Sequence, residues 1–326
     1  MSSRIALAGL LALVIALPAQ QKPPQQDQIP TFSSTSDLVN VLCAVRDKKG
    51  RLINTLEKAD FQIFEDGKPQ DIKYFNRETS LPLTIGLLID SSPSQGNLIG
   101  IEQQASSEFF SSVLRDKDMA FLISFDSSVD LLQDFTNNRR LLEKGLSQVR
   151  VGGGGGGMGP VPGQQTGGTH LYDALFLASA DKLASEVGRK TVILVTDGED
   201  QGSKLKPERA IEAAQKADVV VYSVYFVDQQ FYRRFGTFGN GPGYGVLKKM
   251  SDETGGRVVT PGKNGDLRQA YQEIAEELRS QYSIGYSPSN PKRDGSFRKI
   301  EIKISQPDLK AQARKGYFAV APGDKQ

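Results

Sequence analysis

The chain has 326 residues, of which 38% are hydrophobic and 24% are charged, and its formal net charge at pH 7 is +2. This length accommodates one large domain and a smaller one, and the composition is typical of a soluble globular protein. The nearly balanced charge gives no indication of binding to nucleic acid or to a membrane surface. A single cysteine, Cys43, excludes an internal disulfide.

The first residues have the pattern of a secretory signal peptide. Arg4 precedes an apolar run over residues 5–17, and the small residue Ala19 follows shortly afterwards. A basic start and an apolar segment too short to span a bilayer comfortably are typical of a leader that is removed on export. We therefore predict a signal peptide over residues 1–19, with an uncleaved anchor as the alternative. The predicted location is secreted, periplasmic or in the cell envelope, without a transmembrane span after cleavage.

The next two segments are predicted to be a tether and a small β module. Residues 20–36 are rich in Pro and Gln, which predicts a disordered tether. Residues 37–80 contain short alternating segments separated by turns with Asp and Gly, which indicates antiparallel strands. The predicted strands cover residues 38–45, 61–64 and 72–75, with a turn over residues 65–69.

Residues 81–280 alternate apolar runs with segments of helical periodicity. This alternation predicts an α/β fold with a doubly wound, mostly parallel sheet and helices on both of its faces. The predicted strands cover residues 81–89, 120–125, 191–196, 219–226 and 257–260, with an antiparallel edge strand at 129–135. The predicted helices cover residues 99–114, 139–149, 171–187, 207–217, 246–253 and 266–280.

The final segment, residues 281–326, returns to a strand pattern. Domain insertion brings the two termini of the inserted core together, so we predict that these strands complete the N-terminal module as one all-β sandwich. The alternative is an extension of the central sheet. The predicted strands cover residues 281–286, 298–305 and 315–320.

Polar residues follow two of the apolar strands. Asp90, Ser92 and Ser94 come directly after the strand at 81–89, and Asp197 comes directly after a later strand. Open α/β sheets bind ligands beyond the carboxyl ends of their strands, so these oxygens can converge on one point. Oxygen ligands with few charges suit Mg²⁺ or a similar hard cation such as Mn²⁺ or Ca²⁺.

These motifs resemble the von Willebrand factor A (VWA) domain with its metal-ion-dependent adhesion site. The family pattern is Asp-x-Ser-x-Ser, then a Thr on a middle loop, then an Asp after a later strand, and it matches Asp90, Ser92, Ser94, Thr169 and Asp197. The resemblance spans most of the chain after the tether and extends to VWA-related secreted bacterial proteins. It implies a metal site whose shell is completed by a carboxylate of a partner protein, and hence adhesion or assembly.

Each of these residues alone has a structural alternative as a helix cap or turn former, but five at matching positions favour the metal site. Two neighbouring acids have weaker expected roles. Asp173 is expected to support the site or cap its helix, and Asp200 to stay solvated or support its loop. The metal ligands are predicted to be Asp90, Ser92, Ser94, Thr169 and Asp197.

Two other classes of function compete with partner binding. A structural subunit of an envelope complex could use the metal only to stabilise its loops. A hydrolase is less favoured, because its triad would need His170, the only histidine, and no Gly-x-Ser-x-Gly motif is present. We therefore predict that the protein is not an enzyme.

A segment at residues 231–244 mixes aromatic residues, Arg and Gly. Aromatic residues and Arg often form interface hot spots, so we expect this segment at the rim of the metal site, with a lid packed on its own domain as the alternative. The predicted partner-binding rim consists of His170, Tyr232, Arg233, Arg234 and Phe238.

Overall fold

The structure is a computed structural model, and it describes residues 38–77, 81–152, 168–228, 230, 243–262 and 266–320. The predicted signal peptide and tether at residues 1–36 lie outside these residues. None of the helices in the described part of the chain combines the length and apolarity needed to cross a membrane.

The strands belong to three sheets, and the helices alternate with the strands of one of them. In chain order the strands are β1 (Val39–Asp47), β2 (Phe61–Glu65), β3 (Lys68–Gln70), β4 (Ile72–Asn76), β5 (Leu83–Asp90), β6 (Met119–Phe125), β7 (Val129–Thr136), β8 (Arg189–Thr196), β9 (Val219–Tyr225), β10 (Val258–Val259), β11 (Tyr282–Tyr286), β12 (Phe297–Ile304), β13 (Leu309–Ala313) and β14 (Gly316–Phe318). The helices are α1 (Ile99–Val113), α2 (Arg139–Leu146), α3 (Leu171–Phe176, continued as a π-helix over Leu177–Leu183), α4 (Pro207–Lys216), α5 (Tyr244–Thr254) and α6 (Leu267–Arg279).

The central sheet has six strands in the order β10-β9-β8-β5-β6-β7. All neighbours are parallel except β6 and β7. Three of the four interior strands, β5, β8 and β9, are buried along their whole length because helices cover both faces. One apolar layer contains α1, α2 and α6, and the other contains α3, α4 and α5. The prediction of a doubly wound, mostly parallel sheet is confirmed.

The remaining strands form a β-sandwich of two four-stranded sheets, with the orders β13-β1-β11-β4 and β14-β12-β2-β3. Each sheet mixes strands from both ends of the chain, since β1 pairs with β11 and β2 pairs with β12. The apolar core between the sheets includes Val41, Ile63 and Ile284. The predicted all-β sandwich of N- and C-terminal strands is therefore confirmed.

Two strands of the sandwich were not predicted, β3 and β13. The predicted turn over residues 65–69 is wrong in extent, because the observed turn is shorter. Asp66 (φ 49°) and Gly67 (φ 78°) have left-handed backbone conformations and reverse the chain in two residues. Lys68 therefore already pairs with Glu65. The strand β13 has no β-branched residue, and it forms because β1 offers it a pairing edge.

Deletion of residues 281–326 should open the sandwich while the central sheet survives. The deletion removes β11, which lies between β1 and β4, and β12, which pairs with β2. The apolar faces of the N-terminal strands would then be exposed to solvent. Limited proteolysis should cut residues 38–76 rapidly. Removal of residues 321–326 alone is the control and should not change the digestion, and an unchanged pattern in the long deletion would mean that the N-terminal strands fold independently.

Candidate metal site

The carboxyl ends of β5 and β8 bring the predicted ligands to one edge of the central sheet. Asp90 is the last residue of β5, and Asp197 directly follows β8. These strands are parallel neighbours, with Ile89 opposite Val195. The loop after β5 is also anchored to β6, because the Ser91 N–H donates to the carbonyl oxygen of Phe125 at 2.9 Å.

Four of the five predicted ligands form one hydrogen-bonded group. The Asp90 carboxylate accepts the Ser92 N–H at 2.9 Å. The Ser92 and Ser94 hydroxyl oxygens are 3.0 Å apart, and the Ser94 hydroxyl donates to Asp197 at 2.7 Å. Two carboxylates and two hydroxyls from separate loops therefore converge at this edge.

A third hydroxyl in this group, that of Thr196, was not predicted. It donates to the second carboxylate oxygen of Asp90 at 2.5 Å and accepts the Gly198 N–H at 2.9 Å. The Asp197 carboxylate in turn accepts the Glu199 N–H at 3.1 Å. Thr196 thus fixes the orientation of Asp90 and the start of the loop that bears Asp197. Its position as the last strand residue before a predicted ligand was the available sequence signal.

The fifth predicted ligand, Thr169, is placed by its backbone. It is 6% exposed and exchanges two backbone hydrogen bonds with Gln201, both at 2.9 Å. Gly168 allows this approach, since a Cβ atom there would lie 2.8 Å from the carbonyl oxygen of Gln201. Thr169 is therefore joined to the loop that follows Asp197.

The two neighbouring acids shape that loop. The Asp173 carboxylate accepts the N–H groups of Lys204 at 2.9 Å and Leu205 at 3.0 Å. Asp200 accepts the Ser203 hydroxyl at 2.5 Å. These contacts fix the loop between β8 and α4, so both residues stabilise the surroundings of the site.

The predicted rim is described only at His170. Its N–H donates to the carbonyl oxygen of Asp126 at 2.8 Å, and its ring lies against Gly202. The other four rim residues lie outside the described residues, so their role stays a prediction: Tyr232, Arg233, Arg234 and Phe238.

The two carboxylates of the site are buried together. Asp90 is 0% exposed and Asp197 is 1% exposed. Burial, followed by the nearby charge of Asp197, raises the pKa of Asp90 from 3.8 to about 7, although hydrogen bonds from Ser92 and Thr196 oppose the shift. Burial and Asp197 also raise the pKa of Glu199. A cation at this position would relieve the repulsion between the two carboxylates.

The donor set fits a hard cation that keeps part of its water shell. In the part of the chain that the structure describes, no group of three His, Cys, Asp or Glu side chains is placed to hold a metal ion. Sites that depend on imidazole, thiolate or many carboxylates are therefore not supported. Two carboxylates with neutral hydroxyls suit Mg²⁺, which is commonly bound through one or two carboxylates and water.

Similarity to known proteins is found among solved structures. No protein-family model matches the sequence, and no curated protein matches it. The vWF domain of the type V pili tip protein Mfa5 from Porphyromonas gingivalis is 15% identical, with 61% of this chain and 95% of that chain covered and a TM-score of 0.42. Proximal thread matrix protein 1 from the mussel byssus is 14% identical, with 74% of this chain and 50% of that chain covered and a TM-score of 0.46. The conserved hypothetical protein BatB from Bacteroides thetaiotaomicron is 18% identical, with 61% of this chain and 100% of that chain covered and a TM-score of 0.42.

The architecture of the central domain agrees with the resemblance in its motifs. The sheet is mostly parallel with one antiparallel strand at its edge, and helices cover both faces. The polar loops with Asp90 and Asp197 follow two neighbouring central strands. The central domain therefore has a VWA-like fold.

Proposed function

We propose that this protein is a secreted or envelope-located, metal-dependent protein-binding module that serves adhesion or assembly. The observation that carries the proposal is the hydrogen-bonded convergence of Asp90, Ser92, Ser94 and Asp197 at the carboxyl edge of the sheet. The step from this site to adhesion or assembly comes from the resemblance to VWA domains. The proposal includes no catalytic step.

The residues of the site would have different roles in holding Mg²⁺, or Mn²⁺ or Ca²⁺ in its place. Asp90 and Asp197 would supply the negative charge, while Ser92, Ser94 and Thr169 would offer neutral oxygens. Thr196 would keep Asp90 oriented through its hydrogen bond. When bound, the cation would offer a coordination position to a carboxylate of the partner protein.

Calorimetry and affinity capture test this proposal in two steps. Titration of Mg²⁺ into the purified protein should show binding that chelator removes. Capture from an extract of the native envelope should then retain a protein in Mg²⁺ but not in chelator, and an Asp90→Ala variant should not retain it. Capture that is indifferent to metal would favour the alternative of a scaffold subunit. No binding of Mg²⁺, Mn²⁺ or Ca²⁺ would refute the metal site itself.

The affinity for Mg²⁺ should depend on pH through Asp90. Its pKa in the folded protein, about 7, lies above the ordinary 3.8, so the proton competes with the cation below pH 7. Calorimetry should show affinity weakening by roughly tenfold per pH unit below 7 and levelling off above it. An affinity that is constant between pH 5.5 and 8 would contradict this expectation.

The same shift predicts how the metal-free protein responds to pH. Because the pKa of Asp90 is raised in the folded protein, its protonation stabilises the folded state. This contribution is fully present below pH 3.8 and is lost as the pH rises through about 7. Added Mg²⁺ should therefore raise the melting temperature more at pH 8 than at pH 5.5. An Asp90→Asn variant should lose this difference between the two pH values.

A further inference from the structure

Two buried polar side chains, one on α1 and one in the short turn before it, have no hydrogen-bond partners among the described residues. Glu102 is 0% exposed, and neither of its carboxyl oxygens has a partner among the described residues. Gln95, in the short turn before α1, is also 0% exposed, and both polar atoms of its amide lack a partner there. Four buried polar atoms are thus unsatisfied next to the loop that contains Ser94.

Such atoms are uncommon in folded proteins, because a buried polar group without a hydrogen bond destabilises the fold. The next polar residue on the same face is satisfied, since the Ser106 hydroxyl lies 2.8 Å from the hydroxyl of Tyr271 in α6. On this side of the molecule the unsatisfied atoms therefore lie in the first turns of α1 and in the turn before it, next to Ser94.

The electrostatic surroundings of Glu102 are unfavourable without a cation. Burial raises its pKa well above 4.5, and the charges of Asp90 and then Asp197 raise it further. Each influence on this side chain therefore opposes its ionisation. A divalent cation held by Asp90 and Asp197 would cancel their two negative charges, and this would remove the repulsion that opposes ionisation of Glu102.

We infer that Glu102 is a positioning residue for the cation, which it attracts through water shared with Gln95 rather than as a direct ligand. This inference rests on the proposed function. Direct ligation is disfavoured because the described acidic side chains do not form a group of three that could hold one metal ion. The Glu102 carboxylate would add a third negative charge behind Asp90 and Asp197. The Gln95 amide would orient the water between Glu102 and the cation.

The Glu102→Gln variant tests the inference, because it removes the charge and keeps the shape of the side chain. Outer-sphere partners of metal ligands typically contribute ten- to hundredfold to affinity, so the dissociation constant for Mg²⁺ should rise by about tenfold. The metal-free variant should melt at the same temperature as the wild type or higher, because the buried acid is gone. A purely structural role would instead lower the melting temperature and leave the affinity unchanged.

Glu108→Gln is the matched control, since Glu108 lies on the exposed face of the same helix. It should change neither the affinity nor the melting temperature. A second variant, Gln95→Met, replaces the amide by an apolar side chain of similar size and should weaken Mg²⁺ binding less than Glu102→Gln does.

The outcomes separate the inference from the proposed function. Wild-type binding of Mg²⁺ with unchanged affinity in both Glu102→Gln and Gln95→Met would overturn the inference alone. A wild-type protein that does not bind Mg²⁺ would overturn the proposed function and the inference with it. Weakened affinity in both variants, with the fold and the Glu108→Gln control intact, is the expected result.

Discussion

An Asp90→Ala variant is expected to lose Mg²⁺ binding altogether while its fold stays native. Asp90 is the most buried of the predicted ligands, and it links the loop after β5 to Thr196 at the end of β8. Without it the cation would keep only Asp197, whose charge is expected to act largely through water, and neutral hydroxyls, which bind hard cations weakly. The side chain lies at the strand end and contributes little apolar packing, so the sheet should survive.

Calorimetry with Mg²⁺ and Mn²⁺, together with circular dichroism, measures both parts of this expectation. Asp126→Ala is the matched control, because Asp126 directly follows the neighbouring strand β6 and is not a predicted ligand. The affinity for Mg²⁺ should form a graded series across the other variants. Asp197→Ala should weaken it less than Asp90→Ala does, and Ser92→Ala or Thr169→Ala should weaken it more mildly still. Cation affinity that is undiminished in Asp90→Ala would mean that these residues only form turns.

The central sheet could be predicted from the sequence because its strands are buried on both faces. Burial on both sides selects continuous apolar runs such as those of β5 and β8, and the polar residue that ends each run stands out. Because β5 and β8 are parallel, their carboxyl ends lie at the same edge of the sheet, and the polar residues that follow them meet there. This is why four predicted ligands fall into one hydrogen-bonded group.

The elements that were missed depend on tertiary pairing instead of local pattern. The strand β13 has the sequence Leu-Lys-Ala-Gln-Ala, which favours no strand by itself and becomes one by pairing with β1. The predicted helix over residues 139–149 ends at Leu146, and the one over 171–187 continues as a π-helix only to Leu183. Helix ends depend on local capping and packing that periodicity does not define.

Glu102 illustrates how a functional candidate can be missed on a predicted helix. The buried stripe of α1 includes Ile99, Ala105 and Phe109, and helical spacing places Glu102 on the same face. An acid within an apolar stripe was the available signal. Its significance depends on the proximity of Asp90 and Asp197, which only the three-dimensional arrangement gives.

The β-sandwich should be strongly destabilised by Glu65→Ala. Glu65 and Arg298 are each 2% exposed in their side chains and face one another at 3.4 Å. The Glu65 carboxylate also accepts the hydroxyls of Tyr286 at 2.8 Å and Tyr317 at 2.9 Å. Removing the acid would leave the guanidinium buried without its counter-charge, which typically costs about 3–5 kcal/mol in the free energy of unfolding.

Urea unfolding monitored by circular dichroism measures this loss. Glu301→Ala is the control, because Glu301 lies on β12 in an exposed pair with Lys303 at 3.7 Å, and its removal should change the free energy of unfolding by at most about 0.5 kcal/mol. The double variant Glu65→Leu with Arg298→Met should recover part of the loss, since no unpaired charge then remains buried. If Glu65→Ala were no less stable than Glu301→Ala, the buried pair would contribute nothing to the sandwich. Mg²⁺ affinity of the folded Glu65→Ala protein should equal that of the wild type, because the metal site lies on the central sheet.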